Sequence, residues 1–286
     1  MPSSSIKLFL CGDVMTGRGI DQILPNPCNP RLYEEYMASA EAYVRLAEDA
    51  HGDIPRSAPL SYIWGAALDE FERVKPALRI VNLETSVTRS ESYFAKGINY
   101  RMSPENAGCL TSAGVDCCAL ANNHVLDWGR AGLLETLETL GRLNIKTAGA
   151  GRRLAEAWAP AVFEIPGKGR VLVFSCACVS SGAPMSWAAT DDAGVALLPD
   201  LSEASVSLLV REMSRAIQSD DVIVLSVHHG PNWGYEVRDE DRYFAHRLID
   251  AAPISVLHCH SSHHPKGIEV YRDRLILHGC GDFLND

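Results

Sequence analysis

Apolar residues recur along the chain in short, unbroken runs of strand length. The runs are rich in β-branched residues and nearly continuous, which is typical of strands covered on both faces of a sheet. They read "IKLFLCG" from Ile6, "LRIVNLE" from Leu78, "VDCCALA" from Val115, "RVLVFSCA" from Arg170, "DVIVLSVHH" from Asp221 and "ISVLHCH" from Ile254. The pattern predicts the central strands of a buried sheet.

Segments with helical spacing of apolar residues lie between these runs. They read "LSYIWGAALDEFERVKPAL", "GRAGLLETLETLGRL", "LSEASVSLLVREMSRAI" and "RDEDRYFAHRLIDAA". Ser61 is the predicted N-cap of the first helix, which should end before Pro76. In the second, Leu133, Leu137 and Leu140 form one apolar stripe. Strand–helix alternation of this kind predicts an α/β architecture.

The C-terminal segment departs from this alternation. "GIEVYRDRLILHGCGDF" has the pattern of a β-hairpin that turns at Arg272-Asp273, which predicts a mixed sheet rather than a purely parallel one. The proline-rich "QILPNPCNPR" and the segment "SSGAPMSWAATDDAG" are predicted long loops, and such loops tend to be functional or mobile. With no internal repeat and no clear linker, we expect one domain over residues 1–286.

Composition narrows the class of protein. Hydrophobic residues make up 47% and charged residues 22% of 286 positions, which is an ordinary globular balance. A formal net charge of −10 argues against nucleic-acid binding and against simple adhesion to anionic membrane. Nine cysteines, several within predicted strands, fit reduced thiols, and no apolar run approaches the ~20 residues of a membrane span. We therefore predict a cytoplasmic chain, and the sequence leaves its oligomeric state open.

Polar side chains follow almost every predicted strand. The carboxyl ends of neighbouring strands in an α/β sheet meet at one rim, where ligands bind. Carboxylate, amide and imidazole groups gathered there suit a divalent metal, and the number of candidates favours two metals. The candidates, in chain order, are Asp13, Asn82, Glu84, Asn122, Asn123, His124, Asp127, His228, His229, His258, His260, His263 and His264.

Each of these signals alone also has a structural interpretation. Asp13 could cap a turn or a helix, and Glu84 could be solvated surface. The Asn-Asn-His corner could be a left-handed turn, since asparagine tolerates positive φ. The "HCHSSHH" segment could be an adventitious surface cluster, and Cys259 could bind zinc, although strand alternation points it away from its neighbours. The isolated His51, His246 and His278 are interpreted as core or surface residues.

Several motifs, in the right order, resemble a known family. They are "GDVMTGR", "NLE", "LANNHVLDWGRAGL" with the following "ET", "HHGPNWGYE", "GIEVY" and "LILHGCGDFLND". Together they resemble the bacterial poly-γ-glutamate capsule-synthesis proteins of the CapA type, within the calcineurin-like metallophosphoesterase superfamily. The resemblance implies a four-layer sandwich of two mixed β-sheets flanked by helices, with a dinuclear metal site at the rim. Relatives are expected to continue beyond "DFLND", so either this protein is short or the chain is cut.

The resemblance also implies residue roles. The implied metal ligands are Asp13, Glu84, Asn123, His228, His258 and His260, with His263 a competitor because the histidine spacing is ambiguous. His124 is implied to assist at the scissile bond, oriented by Asp127. Arg18 and Arg101 are candidates for binding an anionic substrate, and surface salt bridges are the alternative for both. Two departures leave occupancy by two metals open: Met15 replaces a motif histidine, and Leu83-Glu84 replaces a Gly-Asp pair.

These observations predict a metal-dependent hydrolase that acts on an anionic small molecule or polymer. Metal-activated water would cleave an amide bond of γ-glutamyl type or a phosphoester, and the ligand types suit manganese, iron and zinc alike. The alternative is a non-catalytic accessory or polymer-binding component of poly-γ-glutamate synthesis.

Overall fold

The computed structural model describes residues 5–286 and has α/β architecture. The helices are α1 (Arg18–Ile23), α2 (Ala40–His51), α3 (Ala67–Val74), α4 (Gly108–Ser112), α5 (Gly129–Arg142), α6 (Leu154–Ala157), α7 (Glu203–Ser214) and α8 (Asp239–Ala251). The strands are β1 (Leu8–Val14), β2 (Leu78–Leu83), β3 (Ser86–Val87), β4 (Arg101–Met102), β5 (Cys117–Ala119), β6 (Lys146–Ala148), β7 (Ala150–Gly151), β8 (Ala161–Ile165), β9 (Gly169–Cys178), β10 (Gly194–Val195), β11 (Leu197–Leu198), β12 (Val222–His228), β13 (Val256–His260), β14 (Ile268–Tyr271), β15 (Arg274–Leu277) and β16 (Asp282–Leu284).

The first large sheet has five strands in the order β16-β1-β2-β5-β6. Every neighbouring pair in it is parallel, so the prediction of two mixed sheets is wrong for this sheet. The physical reason is that both faces of the sheet are covered, which is the usual setting of parallel strands. Asp13 of β1 lies opposite Asp282 of β16, so strands from the two ends of the described chain are neighbours.

The second large sheet is mixed, as predicted. Its order is β11-β9-β12-β13-β15-β14, with β8 paired to β9. β8 and β14 run antiparallel to their neighbours, and the other pairs are parallel. The predicted hairpin is confirmed: Arg272 and Asp273 connect β14 to β15 with φ values of 48° and 60°. Two consecutive left-handed residues are the geometry of a type I′ turn.

The apolar core lies in three clusters that follow the sheets. One cluster joins the sheets to each other, and it includes Leu78 and Ile80 from β2 with Val171 and Val173 from β9. The other two clusters join each sheet to helices on its outer face. They include Leu120, Leu133 and Leu140 for the five-stranded sheet, and Leu225, Leu209 and Phe244 for the seven-stranded sheet.

The helix predictions are confirmed in three of four segments. In α7 the hydroxyl of Ser202 caps the first turn by accepting from the Ser205 N–H at 3.5 Å. The segment predicted as one helix from Ser61 is instead a 3₁₀ turn over Tyr62–Trp64 followed by α3. Gly65, with φ of 49°, breaks the helical path between them, and Ser61 makes no side-chain cap bond. No helix within residues 5–286 has the length and apolarity that crossing a membrane requires.

Candidate metal centre

Two groups of potential metal ligands share Asp13 at the rim between the sheets. Asp13, His228 and His260 offer donor atoms that all lie within 4.8 Å of one another. Asp13, His263 and Asp282 do the same. Asp13 and Asp282 belong to the five-stranded sheet, whereas His228 and His260 end strands of the seven-stranded sheet. The rim that the sequence predicted therefore lies where the two sheets meet.

The first group is held together by short contacts between nitrogen and oxygen atoms. The Nδ1 atoms of His228 and His260 are 2.7 Å apart, and His260 Nδ1 is 4.0 Å from Asp13 Oδ1. His228 Nε2 is 2.9 Å from Asn123 Oδ1 and 3.7 Å from Glu84 Oε1. His228 therefore has His260 at its Nδ1 atom and Asn123 and Glu84 at its Nε2 atom. Within the residues described, Asp13, His228 and His260 are the members of this group whose donor atoms lie within 4.8 Å of one another.

Asp13 carries the clearest sign that this volume suits a cation. Its Oδ1 accepts a hydrogen bond from Asn82 Nδ2 at 2.7 Å, but its buried Oδ2 has no hydrogen-bond partner within residues 5–286. The closest ion-pair contact of Oδ2 is His263 Nδ1 at 3.8 Å. A buried carboxylate oxygen without a donor is costly, and a bound cation would remove that cost. The donor set of the site fits a divalent metal on this ground.

Burial shifts the pKa of the acidic and basic groups in opposite directions. It raises the pKa of Asp13 to about 7 and, together with the nearby Asp13, raises the pKa of Glu84 well above its ordinary value. It lowers the pKa of His228 and of His260 well below the usual range. Neutral imidazoles are the form that binds metal, and clustered carboxylates need positive charge to ionise together.

A network of amides fixes the corner that the Asn-Asn-His sequence forms. Asn82 Nδ2 lies 3.3 Å from Glu84 Oε2, and Asn82 Oδ1 accepts from Asn122 Nδ2 at 3.1 Å. Asn122 Oδ1 in turn accepts from the backbone N–H groups of His124 and Val125 at 3.1 and 3.0 Å. The first asparagine of the corner, Asn122, therefore shapes the turn, and the second, Asn123, contacts His228 of the candidate metal centre.

His124 is held by Asp127 in a position beside the candidate metal centre. His124 Nδ1 is 2.6 Å from Asp127 Oδ2, and its Nε2 is 3.8 Å from Glu84 Oε1. Asp127 Oδ2 also accepts from the Tyr100 N–H at 2.7 Å, which fixes the carboxylate. Burial lowers the pKa of His124 to about 4, although Asp127 opposes the shift. The predicted contact between His124 and Asp127 is confirmed, and their catalytic role stays a prediction.

Lys96 also contacts this pair, although no sequence pattern predicted it. Its Nζ is 2.9 Å from Asp127 Oδ1 and 3.2 Å from His124 Nδ1, and it donates to the Asn123 carbonyl. The side chain is only 16% exposed, so the charge is largely withdrawn from water. Lys96 stands alone in an irregular loop between Val87 and Arg101, without the periodicity or spacing that would single it out.

The structure separates the three histidines that the sequence could not distinguish. His260 belongs to the first ligand group and His263 to the second, whereas His258 belongs to neither. His258 Nε2 donates to the Cys11 carbonyl at 2.8 Å, and its Nδ1 lies 3.2 Å from Ser226 Oγ. With both nitrogens engaged, His258 links the sheets, and its prediction as a metal ligand is not supported by this geometry. Cys259 packs in the outer core, as alternation predicts.

Arg18 and Arg101 have internal partners. Arg18 pairs with Glu34 at 3.1 Å and with Asp286 at 2.5 Å, and it is 7% exposed. Arg101 pairs with Glu91 at 2.9 Å and is 6% exposed. Both arginines therefore form salt bridges, as the alternative interpretation predicts. Both arginine side chains are buried, so these are not the surface salt bridges that it described. Neither guanidinium has a free edge with which to bind the predicted anionic substrate.

Asp282 is a candidate ligand that sequence reasoning missed. Its Oδ1 lies 2.7 Å from His263 Nδ1, and this contact raises the pKa of His263. Asp282 occurs in "GCGDFLND" and is the first residue of β16, several residues beyond the end of β15 at Leu277. The strand-end rule, which selects polar residues at the end of a strand, therefore does not select Asp282; its pairing opposite Asp13 brings it to the site.

Comparison with known proteins agrees with this arrangement of motifs. The family described as bacterial capsule synthesis protein PGA_cap matches residues 7–286. This chain belongs to that family. A probable polyglutamine synthesis accessory protein of Mycobacterium tuberculosis is 44% identical over 288 residues, covering 98% of this chain and 74% of the relative. The PGA biosynthesis protein CapA of Bacillus subtilis is 25% identical over 226 residues, covering 76% of this PGA_cap chain and 56% of the relative.

Proposed function

We propose that this PGA_cap chain is a metal-dependent hydrolase with a metallophosphoesterase-like four-layer sandwich. The observation that carries the proposal is the buried Oδ2 of Asp13, which has no hydrogen-bond partner in the described part of the chain, on a residue that belongs to both groups of potential ligands. His124, held by Asp127, stands next to those groups and can exchange a proton there. The bond cleaved is an amide of γ-glutamyl type or a phosphoester in an anionic substrate.

The residues that would hold one or two divalent cations of manganese, iron or zinc come from both sheets. A bound cation supplies polarisation of the scissile oxygen and lowers the pKa of a coordinated water toward ~7. The residues that would hold the cations are Asp13, Glu84, Asn123, His228, His260, His263 and Asp282.

His124 would act in proton transfer. Because burial keeps its imidazole neutral, its Nδ1–H can donate to Asp127 while Nε2 accepts a proton from the attacking water. The same nitrogen then returns the proton to the leaving group. Lys96 contacts the other oxygen of Asp127 and so holds the carboxylate in this role.

The second candidate function is a non-catalytic accessory role that binds an acidic polymer. The names of the two relatives favour it, since one is a probable polyglutamine synthesis accessory protein and the other a PGA biosynthesis protein. Under this proposal the metal centre binds the acidic chain without cleaving it.

Elemental analysis followed by a substrate panel separates the two functions. The purified chain is reconstituted with manganese, iron or zinc and tested on phosphomonoester, phosphodiester and γ-glutamyl substrates. Turnover that depends on added metal supports the hydrolase. Bound metal without turnover on any substrate supports the accessory role, and a protein that binds no metal contradicts the hydrolase proposal.

A further inference from the structure

A hollow of about 220 Å³ adjoins the His124–Asp127 pair, outside the two ligand groups. Leu126 and Gly129 of its wall belong to the same turn as the pair, and the Phe94 N–H donates to the Asp127 carbonyl at 2.7 Å. The lining residues are Phe94, Leu126, Gly129, Arg130, Ser186 and Trp187.

Lys96 connects this hollow to His124. Its Nζ lies 5.3 Å from the centre of the Trp187 ring and 3.2 Å from His124 Nδ1. Phe94 packs edge-on against Trp187, with ring centres 5.4 Å apart, so the aromatic wall is fixed. Lys96 therefore lies between His124 and this wall.

Arg130 gives the hollow a positive charge that is free to bind. Its Nε donates to the Ala193 carbonyl at 3.0 Å, which anchors the guanidinium. Arg130 is exposed, and within residues 5–286 no carboxylate lies within 4.0 Å of it and its two terminal nitrogens make no hydrogen bond. Arg18 and Arg101 differ, because their terminal nitrogens are committed to internal partners.

We infer that this hollow, with Arg130 as its cation, is the subsite for a carboxylate of an acidic chain bound at the metal centre. The inference rests on the proposed function only in that such a chain binds here, whether or not it is cleaved. The free fork of Arg130 matches a carboxylate bidentately, and Ser186 offers a hydroxyl at the same surface. Phe94, exposed and backed by the buried Trp187 ring, suits the methylene groups of a glutamyl unit. In a chain of net charge −10, an anionic ligand needs such a local positive group.

Calorimetric titration of the metal-loaded protein with two γ-linked glutamyl oligomers tests this inference. One oligomer keeps its α-carboxylates, and the other carries neutral α-carboxamides in their place. The wild-type protein is expected to bind the acid more tightly. Arg130→Ala should weaken acid binding about tenfold, the scale of one lost hydrogen bond to a charged group, and leave amide binding unchanged. Arg130→Lys should recover part of the loss, because it keeps the charge without the fork.

Arg142→Ala is the matched control. Arg142 lies on the same helix, is exposed and pairs with Glu138, so its removal changes the net charge equally without touching the hollow. The inference is overturned if R130A loses no more affinity than R142A, if it weakens both oligomers equally, or if the wild-type protein binds neither.

Hydrolysis of the same oligomers is followed in parallel, so that the two proposals fail separately. If binding depends on Arg130 but no hydrolysis occurs, the hydrolase proposal is rejected and the subsite is supported. If hydrolysis depends on metal but not on Arg130, the hydrolase proposal is supported and the subsite is rejected.

Discussion

Burial gives Asp13 and His124 chemical properties that these residue types lack in water. An exposed aspartate is ionised at neutral pH, but burial raises the pKa of Asp13 to about 7. An exposed histidine is partly protonated near pH 6.5, but burial lowers the pKa of His124 to about 4. Near neutral pH a cation can therefore displace the proton of Asp13. The imidazole of His124 stays neutral in that range and can accept a proton.

Replacing His124 by alanine tests the proposed proton transfer. We expect turnover to fall about 10²- to 10⁴-fold, the usual contribution of a general acid–base group. Metal content should stay close to wild type, because His124 belongs to neither ligand group. Steady-state kinetics and elemental analysis of the same preparation provide the two readouts, and full activity in H124A would rule out the role.

The pKa of Asp13 predicts that metal uptake depends on pH. Below pH 7 the metal-free Asp13 carboxyl is protonated, so a cation must displace that proton and its affinity falls; above pH 7 the competition from the Asp13 proton ends. We expect affinity to weaken by up to about tenfold per pH unit between pH 7 and 5. Calorimetry with manganese in buffers of different ionisation enthalpy measures both affinity and released protons. An affinity that is constant across this range would contradict the prediction.

Lys96 contacts Asp127, and two replacements of Lys96 distinguish the effect of its charge from the effect of its size. Lys96→Met should lower kcat about tenfold with little change in KM or metal content, because Asp127 loses a partner that bears on His124 rather than on substrate. Lys96→Arg keeps a positive charge and should restore part of the rate. Equal losses in the two variants would mean that the charge is irrelevant.

Individual elements show where periodic patterns suffice for prediction. The helices α5, α7 and α8 and the hairpin at Arg272-Asp273 were predictable, since each has a full apolar stripe or a tight turn between two strands. The early helices α1 and α2 were not predicted, because prolines and polar residues surround them and tertiary packing fixes them. Gly65 ended a stripe that otherwise reads as one helix.

Gly12 in β1 is the point where an added side chain would do most damage to the candidate site. A Cβ there would lie 2.0 Å from the Gly281 carbonyl oxygen, beside Asp13 and Asp282. Gly12→Ala should lower the free energy of unfolding by at least about 3 kcal/mol, the upper range for overpacking, and weaken metal binding by displacing β16. Denaturant unfolding and metal titration measure the two effects.

Gly141→Ala in α5 is the matched control for that substitution. Its added Cβ meets no atom within 4 Å, and alanine favours a helix interior over glycine. This variant should be more stable than wild type by up to about 1 kcal/mol, with unchanged metal binding. If Gly12→Ala is no less stable than Gly141→Ala, then β1 and β16 are not tightly apposed.

The candidate metal centre links the two sheets of the molecule. Asp13 comes from one sheet and His228 and His260 from the other, and His258 bridges the sheets a second time through the Cys11 carbonyl. The strand-end rule could predict that Asp13, His228 and His260 converge, because it depends only on topology. It could not exclude His258 or find Lys96, because those assignments depend on which way a side chain turns and what surrounds it.

Removing the cation should destabilise the whole molecule. A ligand at 100 times its Kd adds about 2.7 kcal/mol to the native state, and this contribution should disappear on chelation. We expect calorimetry to show a lower Tm in the presence of a chelator. In Asp13→Asn, which weakens both ligand groups, the Tm should hardly respond to the chelator. A wild-type Tm that is equal with and without chelator would argue against a bound cation.

The pairing of β1 with β16 also sets the order of events when the protein is made. Asp13 leaves the ribosome long before its neighbour Asp282, which belongs to the last strand of the described residues. During translation β1 therefore remains without its β16 neighbour until that strand has been made. Any ion that requires both carboxylates can be loaded only after synthesis has passed residue 282.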